Sequence, residues 1–242
     1  PDYEQGLPAL QTADGEDLVL EDEDYLSIEE FYDRVKTIPL FAPPETVFDY
    51  SNTAYFLLSQ VVEAVTGQTL REYAQEQIFG PLKMSQSFFN DEVTDVVKNR
   101  VDGYERNDDG SYSIFMTNLS WVGDGGVYTN LDDWLKWDQN FYHNVLGTAG
   151  QELVHQMEQS YSVSGNYAWG QEVETYRNLK QVSHTGSWVG FTTYYVRYPE
   201  RRTSIVVFCN SNVITADDLM KVRDLVLDQS TDTPHPKQEQ NE

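Results

Sequence analysis

The chain has little of what ties a protein to a metal, a membrane or a nucleic acid. Cys209 is its one cysteine, so no internal disulfide forms and the count fixes no redox compartment. It lies in the strand-like run "SIVVFCN", a pattern that predicts a buried, inert thiol. His143, His155, His184 and His235 are scattered, with no His-Glu-x-x-His and no cysteine pair, so no metal site is expected. No stretch approaches the ~20 apolar residues of a membrane-spanning helix. Positive charge is scarce: 16 Lys and Arg stand against 40 Asp and Glu, a net −24. Such a surface repels nucleic acid and anionic membranes, and reads as a device for solubility. No signal peptide and no initiator methionine are present. The opening "PDYEQGLPAL" has the texture of a mid-loop, which predicts a piece of a longer polypeptide.

Two glycine-containing motifs are also excluded. "GDGG" at 123–126 lacks the strand and the G-x-G-x-x-G spacing of a dinucleotide site. "GSWVG" at 186–190 places Ser187 off-centre, so it is no nucleophile elbow.

What is there predicts a folded chain, with 39% hydrophobic and 13% aromatic residues. Its 242 residues suffice for one large domain or two small ones. Residues 1–24 are acidic and unpatterned, a solvated loop. "SIEEFYDRVKTI" predicts a helix with Ser27 as N-cap and Glu30 closing a capping box. A proline-punctuated extended segment leads to Tyr50, and the helix "TLREYAQEQIF" stops at Gly80-Pro81. "RVDGYERNDDGSYSI" reads as a hairpin about Asp109-Gly110. The turn "GDGGVYTN" leads to the helix "LDDWLKWDQNFYH", and another helix follows over about 149–160. Four strand-like segments come next: "YAWGQEVETY", "LKQVSH", "FTTYYVRY" and "TSIVVFCN". The last two form a hairpin about "PERR". A closing amphipathic helix carries Leu219, Val222, Leu225 and Val226 on its apolar side, before a polar tail over 229–242 that is expected to be disordered.

The chemistry concentrates in two places. In "DYSNTAYFLLSQVVEAV", residues 49–65, the triplet Tyr50-Ser51-Asn52 runs into a helix. Ala54, Leu57, Leu58, Val61, Val62 and Val65 recur at helical spacing, so that face is expected to be core, with Asn52 as N-cap and Gly67 as the stop. In "SHTGSWVGF", residues 183–191, His184-Thr185-Gly186 falls at the end of one strand and before another. Gly186 lets a ligand or backbone approach, and the Ser187 N–H can serve as an oxyanion donor. Taken singly, each motif is also satisfied by a packed aromatic at a helix start and by a structural strand histidine.

Together and in this order they resemble the penicillin-recognising serine hydrolases: class C β-lactamases, D-Ala-D-Ala carboxypeptidases, and related esterases and D-aminopeptidases. That family carries Ser-x-x-Lys, then Tyr-x-Asn, then Lys/His-Thr/Ser-Gly. The likeness extends through "FDYSNTAYFLLSQVVEAVTGQTLREYAQEQIFGPLKM", "GDGGVYTNLDDWLKW" and "HTGSWVGFTTYYVRYPERRTSIVVFCNSN", nearly all of residues 1–230. It implies an α/β (α+β), β-lactamase/transpeptidase-like fold, an antiparallel sheet flanked by helices with a mostly helical region and the N-terminal part missing. Residues 1–160 would form the helical region with Tyr-x-Asn; 161–228 would supply three sheet strands with His-Thr-Gly and the closing helix.

The resemblance further implies acyl transfer without a cofactor on a small ester, amide, peptide or β-lactam, in an exported, periplasmic or secreted protein. Tyr50, Asn52 and His184 would be catalytic, and Thr185, Gly186 and Ser187 would bind the substrate and its oxyanion. One departure is large. None of the seven lysines has a serine three positions before it, so Ser-x-x-Lys is absent. The chain is then part of an active hydrolase whose nucleophile lies outside it, or a non-catalytic binding or scaffolding relative.

Overall fold

The computed structural model describes residues 10–11, 17–18, 27–40, 42–161 and 163–229. The tail beyond 229 and most of the acidic stretch over 1–24 lie outside the described residues. Within that stretch, β1 (Leu10–Gln11) and β2 (Asp17–Leu18) pair antiparallel.

Helix α1 (Ile28–Val35) starts as its sequence dictates, with Ser27 accepting from the Glu30 N–H and the Glu30 carboxylate accepting from the Ser27 N–H. It buries Phe31 and Val35. The Phe31 ring stacks on Trp121, with centroids 4.1 Å apart, and meets Phe56 edge-on at 4.6 Å. Full burial of a side chain such as Phe56 contributes about 1.5–3 kcal/mol.

Helix α2 (Asn52–Thr66) carries Phe56 and departs from expectation at two points. Its N-cap is Ser51, whose hydroxyl accepts from the Ala54 N–H at 3.1 Å, so Asn52 is the first helical residue instead of the cap. Its buried face is Asn52, Thr53, Phe56 and Ser59, while Leu58, Val61 and Val65 of the apolar stripe are 55%, 55% and 79% exposed. The reason is the glycine-rich turn. Gly123 packs so closely on α2 that a β-carbon there would meet the Tyr55 carbonyl oxygen at 2.7 Å and Ser59 Cβ at 3.1 Å. The small face of α2 is spent on that contact and the apolar stripe is left open. Gly67 ends the helix in the left-handed region, as the sequence predicts.

The helix expected over 69–79 is split into α3 (Leu70–Ala74) and a wider π-helical turn over Gln75–Phe79. β3 (Phe88–Phe89) pairs with β6 (Val127–Tyr128) and holds the glycine-rich turn in place. β4 (Tyr104–Arg106) and β5 (Tyr112–Ile114) form the predicted hairpin. α4 (Leu131–Asn140) is capped by Asn130, and α5 (Gln151–Met157) follows.

The remaining strands are β7 (Glu172–Tyr176), β8 (Leu179–Trp188), β9 (Phe191–Tyr198) and β10 (Thr203–Cys209), a sheet of four in the order β10-β9-β8-β7. All its neighbours are antiparallel. Period-2 alternation sends Tyr194, Val196 and Tyr198 to one face, where α6 (Ala216–Gln229) covers them with Leu219 and Leu227. Tyr195 points to the other face, where its hydroxyl donates to Asp138 of α4 at 2.6 Å and Trp134 packs edge-on to its ring. The sheet is thus covered by helices on both faces.

The phase of α6 differs from expectation: Leu225 is 61% exposed and Val222 is exposed too. Arg223 takes the buried position between Leu219 and Leu227, with its guanidinium 3.7 Å from the centre of the Tyr176 ring. Cys209, expected to be buried, is only half-buried, because β10 is an edge strand.

Candidate active site

Two elements deliver the sequence motifs to one place. Tyr50 stands just before the Ser51 cap, so the first turn of α2 fixes its backbone. His184 sits inside β8, not at a strand end: pairing with β9 runs from Val182↔Arg197 through Trp188↔Phe191 and carries Thr185, Gly186 and Ser187 along the ladder. β7 pairs with β8 only as far as Ser183, so among the described residues the edge of β8 over 184–188 has no strand beside it.

The rings of Tyr50 and His184 face each other with centroids 6.0 Å apart and 30° between planes. Tyr50 is 38% exposed and His184 half-buried. Asn52 is buried at the start of α2, and Thr185 and Ser187 are exposed on β8. Gly186 has a structural duty beside any ligand: a β-carbon there would come within 2.4 Å of Thr193 Oγ1 on the adjacent strand. Among the described residues no group of three His, Cys, Asp or Glu could hold a metal ion.

The beta-lactamase family matches residues 3–228. The chain belongs to that family. Among relatives, it is 26% identical over 189 residues to a D-aminopeptidase of Cereibacter sphaeroides, covering 73% of this chain and 36% of that enzyme. It is 24% identical over 222 residues to an unguisins hydrolase of Aspergillus campestris, covering 86% of this chain and 41% of that protein. Among solved structures, the octameric penicillin-binding protein homologue from Pyrococcus abyssi superposes with a TM-score of 0.74 at 25% identity, over 88% of this chain and 50% of that one. The D-amino acid amidase from Ochrobactrum anthropi SV3, solved with D-phenylalanine, gives 0.67 at 17% identity, over 95% and 69%, a likeness of fold. This beta-lactamase-family chain therefore spans a little over a third of the length of those curated relatives.

Sequence reasoning missed Tyr167. Its hydroxyl lies 3.0 Å from His184 Nε2, and its ring packs edge-on to Tyr50 with centroids 5.8 Å apart. Phe48 lies against it at 5.4 Å, so Tyr50, Tyr167 and His184 form one aromatic corner. The other ring nitrogen, His184 Nδ1, is 2.5 Å from the Thr185 carbonyl oxygen. Both nitrogens are thus engaged within the protein. Burial pushes the Tyr167 phenol well above the usual tyrosine range, and the neighbouring Tyr55 and Tyr50 oxygens act in the same direction. Beside His184, a cavity of about 250 Å³ opens between the sheet and α4, lined by apolar side chains including Trp134, Phe141, Trp169 and Phe208. The one local signal for Tyr167 was its place at the head of "YAWGQEVETY", which read only as strand.

Proposed function

We propose that the chain supplies the proton-shuttling and substrate-binding part of a serine hydrolase that cleaves amide or peptide bonds by acyl transfer, with the nucleophile on polypeptide outside this chain. The meeting of Tyr50 and His184 carries the reading: a helix start and a mid-strand position far apart in sequence put their rings face to face. A serine hydroxyl needs a neighbouring base to attack a carbonyl. The Tyr50 phenolic oxygen, working with the lysine of Ser-x-x-Lys, passes the serine proton to the leaving amine. Asn52 holds that lysine and the acyl-side amide of the substrate, while the Ser187 N–H contributes to the oxyanion hole. Thr185 and Gly186 line the open edge of β8, along which the substrate lies. The apolar cavity beside His184 takes an uncharged side chain of that substrate. The names of the relatives, D-aminopeptidase and D-amino acid amidase, favour amide and peptide bonds over esters.

The surfaces for the rest of the enzyme are the open apolar stripe of α2 and the outer edge of β10, a seven-residue strand with no Lys or Pro to guard it. The isolated chain is therefore expected to be inert and to bind an apolar dye strongly. Assays on p-nitrophenyl acetate and D-alanine p-nitroanilide, with a fluorophosphonate probe as control, test this. Turnover, or stoichiometric labelling of the chain, overturns the placement of the nucleophile elsewhere.

The occupied nitrogens of His184 also bear on substrate. A lysine there would present a permanent charge to a substrate carboxylate, whereas this imidazole has spent both nitrogens on Thr185 and Tyr167. With the Ser-x-x-Lys segment supplied, uncharged amides and esters are expected to be better substrates than carboxylate-bearing β-lactams, and His184→Lys should shift the preference toward the latter. The ratio of kcat/KM for p-nitrophenyl butyrate and nitrocefin decides it. A wild type that favours nitrocefin, or a ratio unmoved by His184→Lys, counts against the assignment.

A further inference from the structure

We infer that Tyr167 is a positioning residue that locks His184 in the Nδ1–H tautomer. The donor and acceptor chemistry leaves one consistent direction. A carbonyl oxygen only accepts, so His184 Nδ1, 2.5 Å from the Thr185 oxygen, carries the proton. In the neutral ring Nε2 is then an acceptor, and its partner at 3.0 Å, the Tyr167 hydroxyl, donates to it. The Gly170 N–H is given to the Ala168 carbonyl oxygen at 3.0 Å, and the Tyr55 side chain packs against Gly170. Every link has one donor and one acceptor.

Tyr167 also joins the two halves of the site. It lies in the segment that leads into β7, with its ring edge-on to Tyr50 just before α2. His184 is on the adjacent β8. Tyr167 therefore ties the Tyr50 end of α2 to the strand that carries His-Thr-Gly, in a corner where burial keeps its phenol protonated. Its importance for catalysis rests on the hydrolase reading, whereas the tautomer does not.

The test uses the 242-residue chain itself, labelled with ¹⁵N-histidine, in alkaline buffer above the ordinary imidazole range. Two-bond ¹H–¹⁵N correlation spectra separate Nδ1–H from Nε2–H rings. With four histidines in the sequence, the His184 signal is assigned by its loss in His184→Gln. The expected result is an Nδ1–H pattern in the wild type that moves toward Nε2–H in Tyr167→Phe. The signals of the other histidines should stay in place. Tyr167→Phe keeps the ring that packs on Phe48 and Tyr50, and an unchanged circular dichroism spectrum checks that the fold survives. An Nε2–H pattern in the wild type, or one that Tyr167→Phe leaves unmoved, overturns the inference. Turnover by the isolated chain would instead overturn the placement of the nucleophile outside it and leave the tautomer untouched, so the two failures are told apart.

Discussion

Tyr50→Phe is expected to lower kcat by about 10²–10⁴-fold in the enzyme completed with its Ser-x-x-Lys segment, the usual cost of losing a positioned proton carrier. KM should change far less, because the substitution removes one oxygen and keeps the ring. The packing argument supports this separation. The Tyr50 ring is held by Tyr167 and His184 through aromatic faces and edges, contacts that phenylalanine reproduces. Steady-state kinetics with a thermal melt in parallel make the comparison. A Tyr50→Phe enzyme with near wild-type kcat would make the tyrosine structural and leave the serine without its base.

Glu158→Ala is expected to cost about 3–5 kcal/mol of stability, the range for breaking a buried ion pair from one side. Glu158 follows α5, and its carboxylate meets Arg197 of β9 and Lys180 of β8. Arg197 is 1% exposed, with its guanidinium 3.8 Å from the centre of the Phe141 ring. Without Glu158 the charge keeps, among the described residues, only the Gln171 side-chain oxygen, at 3.2 Å, as a hydrogen-bond acceptor. Urea unfolding should show a lower midpoint at unchanged slope. Asp33→Ala, which breaks the exposed Lys36 pair, should leave the midpoint nearly unmoved, because solvent screens that pair. Replacing Glu158 and Arg197 together by apolar residues of similar volume should recover much of the loss, since the charge then has no need of a partner.

The same carboxylate gives a pH signature. Burial by itself raises the Glu158 carboxyl, but the hydrogen bond from Lys180 and the charge and hydrogen bond of Arg197 outweigh it and hold it below its ordinary value of 4.5. A group depressed in the folded state contributes stability above its unfolded value and loses it as pH falls through the folded one. Stability should therefore decline on acidification below about pH 4.5, less steeply in Glu158→Gln than in the wild type. An equal decline in both would place the acid-sensitive pair elsewhere. The cluster also anchors the site, since Gln171 joins Arg197 to the Met157 carbonyl at the base of the segment that carries Tyr167.

Local pattern was enough for much of this protein. The Ser27 capping box, the Gly67 stop, the Asp109-Gly110 hairpin and the strands β7 to β10 follow from residues within a few positions of each other, because caps, turns and pleats are short-range physics. Tyr50, Asn52 and His184 of the proposed site could be singled out for the same reason: each belongs to a contiguous motif. Tertiary structure decided the rest. Ser51 and Asn52 are both capping types, and only the path of the chain into α2 selected the serine. The stripe of α2 looked like core because periodicity shows that a helix has an apolar side, not which surface meets it; Gly123 claimed the other side. Arg197 and Arg223 sit in the interior, where a polarity pattern would never put them, since their partners Glu158, Phe141 and Tyr176 come from other elements. Tyr167 is one of 16 tyrosines and carries no local mark. It becomes part of the site only when the sheet brings His184 alongside, because a hydrogen bond is made between neighbours in space and a sequence displays only neighbours along the chain.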